Sequence, residues 1–238
     1  MPRTFKIERY PYDEDVKVFT KTKVTINEGL TVLVGCNGSG KTTLMEEIMS
    51  KLKKDNIPCF SFNNLSQGGT NSVSELIYGD NIHAAAALMS SSEGESISVN
   101  LSIKANLLRE FIETGVVNDR NNRFAEAFRK LVDKKEEKPA IPNERWIFFD
   151  AVDSGYSIDN ILDFKDFLHI IQDHAKRLDL SLYIIVAANA YETAAKEPCL
   201  DLMTMKYKEF RTYEGYKNYI LKTREAKEKR CGSAEQET

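Results

Sequence analysis

Hydrophobic and polar positions change their rhythm several times along the chain. In TFKIERY (4–10) and VKVFTKTKVTI (16–26) apolar or β-branched residues alternate with polar ones. That period of two predicts short antiparallel strands. After the turn NEGL, the stretch LTVLVG (30–35) is continuously apolar, as a strand covered on both faces would be. The period then lengthens: in KTTLMEEIMSKLKKD (41–55), Leu44, Ile48 and Leu52 recur every fourth residue, which predicts a helix. IPCFSF (57–62) reads as the next strand, and the polar, Gly-rich NNLSQGGTNS (63–72) as a loop. Helical patterning follows in 72–90, with a break expected at Gly79-Asp80, then in 96–115 and 124–132.

DKKEEKPAIPNE (133–144) interrupts this patterning with two prolines and a run of charges, so it predicts an exposed connector. Beyond it lie a buried strand WIFFDA (146–151), a long amphipathic helix over 157–180 and a third core strand SLYIIVAA (181–188). LMTMKYKEFRTY (202–213) predicts a hairpin, YKNYILKTREAKEKR (216–230) a basic helix, and residues 231–238 a flexible tail. Alternating strands and helices predict an α/β fold: a mixed sheet with N-terminal antiparallel strands and a helical lobe. The expected organisation is a core from residues 1–64 and 141–230, with residues 65–140 inserted as the lobe.

Composition narrows the function classes. The 238 residues are 42% hydrophobic and 29% charged, with a formal net charge of -3. That balance suits a soluble domain and excludes a globally basic nucleic-acid binder, though not a local basic patch. No apolar stretch approaches the ~20 residues of a bilayer-spanning helix. MPRTFKIERY lacks the apolar core of a signal peptide. Cys36, Cys59, Cys199 and Cys231 show no CxxC spacing, which argues against zinc and against a disulfide framework. The expectation is a reduced, cytoplasmic protein with no membrane partner.

GCNGSGKT (35–42) carries the chemistry. Gly35-x-x-x-x-Gly40-Lys41-Thr42, between a predicted strand and a predicted helix, is a complete phosphate-binding loop. Gly35, Gly38 and Gly40 allow the backbone to turn its N–H groups onto phosphate oxygens. The following helix adds its N-terminal dipole. Lys41 is expected to neutralise the β- and γ-phosphates and Thr42 to ligate Mg²⁺. The expected ATP-binding residues are therefore Gly35, Asn37, Gly38, Ser39, Gly40, Lys41, Thr42 and Thr43. RWIFFDAVD (145–153) places Asp150 at the end of an apolar strand, where a carboxylate can hold Mg²⁺ through water.

GCNGSGKTTL (35–44) and IFFDAVDSGYSID (147–159) resemble the ATP-binding-cassette superfamily, and within it the SMC/RecF-like ATPases of DNA maintenance and their compact phage relatives. The resemblance implies a P-loop NTPase of this type and a head-to-tail homodimer that sandwiches ATP between one subunit's P-loop and the other's signature motif. The best signature candidate is SSEGE (91–95), where Ser92 and Gly94 would offer a hydroxyl and an N–H to the partner's γ-phosphate; an ordinary Ser-rich helix cap is the alternative. Gln67 stands where the family's Mg²⁺-sensing glutamine falls. Ser154 and Gly155 stand where its D-loop begins, with Asp159 just beyond.

Two positions depart from the family pattern. Ala151 replaces the glutamate that polarises water, and Asn189 replaces the switch histidine. Neither can accept a proton, so Asp153 is the candidate catalytic residue beside Lys41. Asn189 remains a candidate γ-phosphate sensor. The leading expectation is a slowly hydrolysing ATPase that dimerises on ATP and acts on DNA or a DNA-processing partner. A non-hydrolysing, nucleotide-gated interaction protein is the alternative. A transporter subunit is disfavoured by the same two departures, and a sugar or nucleoside kinase fits the motifs poorly. His83, His169 and His174 lack metal spacing, and Trp146 reads as a core aromatic. Tyr207, Tyr213, Tyr216 and Tyr219 interleave with Lys206, Lys208, Arg211, Lys217 and Lys222. That interleaving is read either as a nucleic-acid surface or as a solvated hairpin and helix.

Overall fold

The computed structural model describes residues 1–9, 11, 17–63, 105–116, 141–153 and 156–234. β1 (Arg3–Lys6) and β2 (Lys23–Ile26) pair antiparallel, with Arg3 opposite Ile26, as a small sheet of their own. Among the described residues the main sheet has six strands: β3 (Gly29–Val34), β4 (Cys59–Asn63), β5 (Glu144–Asp150), β6 (Ser181–Ala187), β7 (Cys199–Asp201) and β8 (Lys206–Lys208). Their order is β4-β5-β6-β3-β7-β8. Neighbours run parallel except β7 and β8, which are antiparallel, so the mixed character of this sheet lies at its β8 edge. The α/β fold with a mixed sheet and N-terminal antiparallel strands is what the patterning predicts.

Among the described residues, five helices accompany the strands: α1 (Lys41–Lys54), α2 (105–114), α3 (Ile158–Arg177), α4 (Tyr191–Ala194) and α5 (Tyr213–Ala234). The alternation of strand side chains sorts them onto two faces. Leu30, Val32 and Val34 of β3 join Ile147, Phe149, Ile184 and Val186 under Phe164 and Leu168 of α3, Phe111 of α2, and Tyr216 and Tyr219 of α5. On the other face, Leu33, Trp146, Phe148 and Ile185 pack against Leu44, Ile48 and Leu52 of α1 and against Phe5, Val24 and Ile26 of the hairpin. Trp146 is fully buried and stacks on Tyr183 at 4.2 Å, with Phe5 edge-on at 5.4 Å. Its role is to weld the N-terminal hairpin to the sheet.

One predicted element is corrected. The hairpin predicted over 202–213 begins earlier: its first strand is β7, and Leu202–Met205 form the turn. Asp201 causes the shift. Its backbone carbonyl accepts the Met205 N–H at 2.7 Å, and its carboxylate accepts the Met203 N–H at 2.8 Å, closing the turn where patterning places a strand. At the C-terminus α5 runs to Ala234, the fourth residue of the segment 231–238 expected as a flexible tail. Of the expected lobe, residues 65–104 and 117–140 lie outside the described residues. Within it α2 packs on the core through Leu108, Phe111 and Ile112.

Strand register positions the site. Asn63 pairs with Asp150, Phe149 with Val186, and Leu33 with Ala187. The carboxyl ends of β3, β4, β5 and β6 therefore fall on one line, and the loops that leave them share one rim, where open α/β sheets bind their ligands.

Candidate functional site

The loop after β3 turns on glycines at the two places where backbone conformation demands them. Gly38 has φ of 72° and Gly40 of 95°. A Cβ on Gly40 would lie 2.6 Å from Val18 Cγ1 and 2.9 Å from Phe19 Cε1, so the loop also passes too close to the N-terminal segment for any side chain. The Ser39 N–H bonds the Cys36 carbonyl at 3.1 Å, and the Leu44 N–H begins the helical ladder on Gly40 at 2.9 Å. Gly40 is the N-cap of α1 and supplies no side-chain cap, and the first turn contains no acidic residue. The start of α1 therefore presents its N–H groups and positive dipole end to an incoming anion.

A pocket of about 350 Å³ opens over this loop, with Lys41, Thr42, Asp150, Ala151 and Asn189 in its walls beside the loop glycines. The Lys41 ammonium donates to the Gly35 carbonyl at 2.8 Å and to Asn189 Oδ1 at 3.0 Å. Burial lowers its pKa from the ordinary lysine value, opposed by the nearby carboxylates of Asp153 and Asp150. Thr42 Oγ1 donates to Asp150 Oδ2 at 2.9 Å. The Asn63 amide donates to the same oxygen at 3.2 Å. A hydroxyl and a carboxylate within hydrogen-bonding distance are the hard oxygen donors that Mg²⁺ takes, one directly and one through water. These residues fit that ion: Thr42 and Asp150 would hold it, and it would neutralise charge on phosphate oxygens.

Asp153 meets a geometry different from the expected one. Ala151 adopts a left-handed backbone (φ 53°) immediately after Asp150. Asp153 follows this turn, and its Oδ2 accepts the backbone N–H groups of Asn189 at 2.5 Å and Ala190 at 2.6 Å. It does not wall the pocket. Its Oδ1 is buried and has no hydrogen-bond partner among the described residues. The Tyr216 hydroxyl donates to the Asn189 carbonyl at 2.8 Å. Asn189 is thus clamped on its backbone at both ends while its side chain faces Lys41.

Asn63 is the site residue that sequence reasoning missed. No local sequence cue marks it, because it is placed by the pairing of two parallel strands whose last residues, Asn63 and Asp150, face each other. Gln67, Ser92, Gly94, Ser154, Gly155 and His83 lie outside the described residues. His169 Nε2 stands 3.1 Å and His174 Nε2 3.3 Å from a glutamate, Glu197 and Glu113 respectively. Among the described residues, no three His, Cys, Asp or Glu side chains gather as a metal centre. Asp159 lies in the first turn of α3, its carboxylate held below the ordinary range by a hydrogen bond from Ser157. Burial pushes the Cys59 and Cys199 thiols up to about 12, so neither is a thiolate nucleophile at neutral pH.

Of the lysine–tyrosine stretch, Tyr216 and Tyr219 are buried and unavailable for base stacking. The Tyr219 hydroxyl donates to Asp201 at 2.8 Å, and Lys208 lies 2.8 Å from the same carboxylate and 4.0 Å from the Tyr219 ring centroid. Burial raises both phenol pKa values above the ordinary range. These residues build the core around α5.

No family model matches the chain. Over 42 residues, 17% of this chain and 6% of the relative, it is 50% identical to ABC transporter G family member 23 of Dictyostelium discoideum. The match spans only that small fraction of the relative's length. Among solved structures, an ATP-binding cassette of an ABC transporter in its ADP conformation aligns with 93% of this chain and 97% of its own, at 14% identity and a TM-score of 0.44. A nucleotide-free ATP-binding cassette from an ABC transporter aligns over the same shares at 15% identity and a TM-score of 0.44. No helix among the described residues is long and apolar enough to cross a membrane.

Proposed function

We propose that the chain binds MgATP and hydrolyses it slowly, as an SMC/RecF-like ATPase whose nucleotide-dependent homodimer acts on DNA or on a DNA-processing partner. The observation that carries the nucleotide reading is one convergence. Lys41 and Thr42, consecutive at the start of α1, reach across to Asn189 and Asp150 at the ends of two other strands. Lys41 would bind the phosphates, Thr42 and Asp150 the Mg²⁺, and Asn189 the γ-phosphate end. The DNA role and the dimer rest on the motif resemblance alone. Slow turnover follows from Ala151, because losing a positioned base costs about 10²–10⁴-fold.

A specific observation also favours a second reading, in which binding alone switches the protein. Asp153, the candidate base, has one carboxylate oxygen occupied by two backbone N–H groups and does not wall the pocket. Binding without hydrolysis still shifts a population of states. ATP turnover with and without double- and single-stranded DNA, measured alongside mass in solution, separates the two. DNA-stimulated turnover with ATP-dependent dimers is the expected result. Dimers without turnover would select the switch, and monomers under a non-hydrolysable analogue would overturn the cassette dimer.

Affinity should also depend on alkaline pH. The pKa of Lys41 is lowered in the free protein, whereas a bound polyphosphate would raise it. Between those two values the complex holds more protons than the free protein, so binding takes up a proton and weakens as pH rises. Calorimetry in buffers of different ionisation enthalpy should show proton uptake above neutrality. Proton release in that range would contradict this assignment.

A further inference from the structure

Four residues of α5, spaced three, four and four apart, form one stripe on the helix, and each meets the backbone of the nucleotide site. Tyr216 donates to the carbonyl of Asn189 at 2.8 Å. The Tyr219 hydroxyl lies 3.1 Å from the carbonyl of Val34, the last residue of β3 before the phosphate loop. Thr223, 2% exposed, accepts the Cys36 N–H at 3.0 Å while donating to the Ile220 carbonyl at 2.7 Å. Lys227 donates to the Asn37 carbonyl at 3.1 Å. A Cβ built on Gly38 would lie 2.6 Å from the Lys227 ammonium, so that cation lies directly over the apex of the loop.

The first three contacts are hydrogen bonds that a neutral helix could also make. The fourth brings a charge. Two other cations on α5 have carboxylate partners: Arg224 pairs with Glu228 at 2.9 Å and Lys217 with Glu214 at 3.7 Å. Lys227 has no carboxylate partner among the described residues, and its ammonium is satisfied by a loop carbonyl. A cation with no carboxylate partner, held against a loop whose glycines can turn N–H groups onto an anion, gains further when that anion is present.

We infer that Lys227 is a second basic residue of the phosphate loop, a positioning residue set in place by the α5 stripe, whose charge favours nucleotides with longer polyphosphate chains. This rests on the nucleotide reading above. Lys227 is not a wall of the pocket, so it acts through Asn37 and Gly38 and through its field, and Lys41 remains the cation that meets the phosphates.

The test compares MgATP, MgADP and AMP binding by the full chain as wild type, Lys227→Gln and Lys227→Arg, at several salt concentrations. Lys227→Gln keeps a donor for Asn37 and loses the charge. It should weaken MgATP about three- to tenfold, AMP by less, and flatten the salt dependence. Lys227→Arg should restore both preference and slope. A merely structural contact would move the melting temperature without altering the ATP-to-AMP preference. If Lys227→Gln keeps the wild-type preference and salt slope while wild type binds MgATP, this inference is overturned and the nucleotide reading stands. If wild type itself binds no MgATP, both are overturned.

Discussion

Replacing Lys41 with alanine should abolish MgATP binding, by more than about a hundredfold, while leaving the fold close to its original stability. Each hydrogen bond from a charged donor is worth about 1.5–3 kcal/mol, and two such bonds to phosphate oxygens exceed a hundredfold in affinity. Stability should respond differently. In the free protein the Lys41 ammonium is held where burial lowers its pKa, so at neutral pH its charge costs folding energy that the alanine variant does not carry. The variant gives up bonds to the Gly35 carbonyl and to Asn189, which offsets part of that relief. Titration with a fluorescent ATP analogue gives the affinity, and thermal unfolding without nucleotide gives the stability. Retained affinity would remove Lys41 from the phosphate site. Lost affinity with a large fall in melting temperature would mean that the loop had collapsed instead.

Much of the fold was legible because the buried strands and α1 are short, strongly patterned segments. LTVLVG, WIFFDA and SLYIIVAA carry continuous apolar runs that only a covered sheet explains, and Leu44, Ile48 and Leu52 mark one face of one helix. The misplaced hairpin illustrates the limit. β7 and β8 have three residues each, too few for alternation to establish a register, and the carboxylate of Asp201 decides where the turn falls. In the site, motif residues were legible because a phosphate loop is local in sequence. What the sequence hid is long-range. Thr223 meets Cys36 across 187 positions, and Lys227 meets Asn37 across 190. No spacing rule reaches that far, and a threonine and a lysine on a basic helix read as ordinary surface. Asn63 was hidden for a milder reason, since its partner is set by the register of β4 on β5.

Asp153 should tolerate asparagine and not alanine. A general base and a structural acceptor respond oppositely to the same substitution. If Asp153 took a proton from water, Asp153→Asn would lower turnover about 10²–10⁴-fold with binding intact. The geometry assigns the carboxylate another task, because Oδ2 already accepts the N–H groups of Asn189 and Ala190. An asparagine carbonyl can accept both, so Asp153→Asn should keep turnover within about threefold of wild type. Alanine leaves both N–H groups without their acceptor, at a cost of about 1–3 kcal/mol in unfolding free energy. It should also weaken MgATP binding, since Asn189 is the residue that holds Lys41 from the far wall. Turnover, MgATP affinity and melting temperature of the two variants decide the matter together. Asparagine as inactive as alanine, with both folded and both binding MgATP, would return Asp153 to the role of base. Asparagine active and alanine unstable would make it the post that holds the sensor, and would leave hydrolysis in this protein to water aligned by Asn189 and the Mg²⁺-bound phosphates rather than to a proton acceptor.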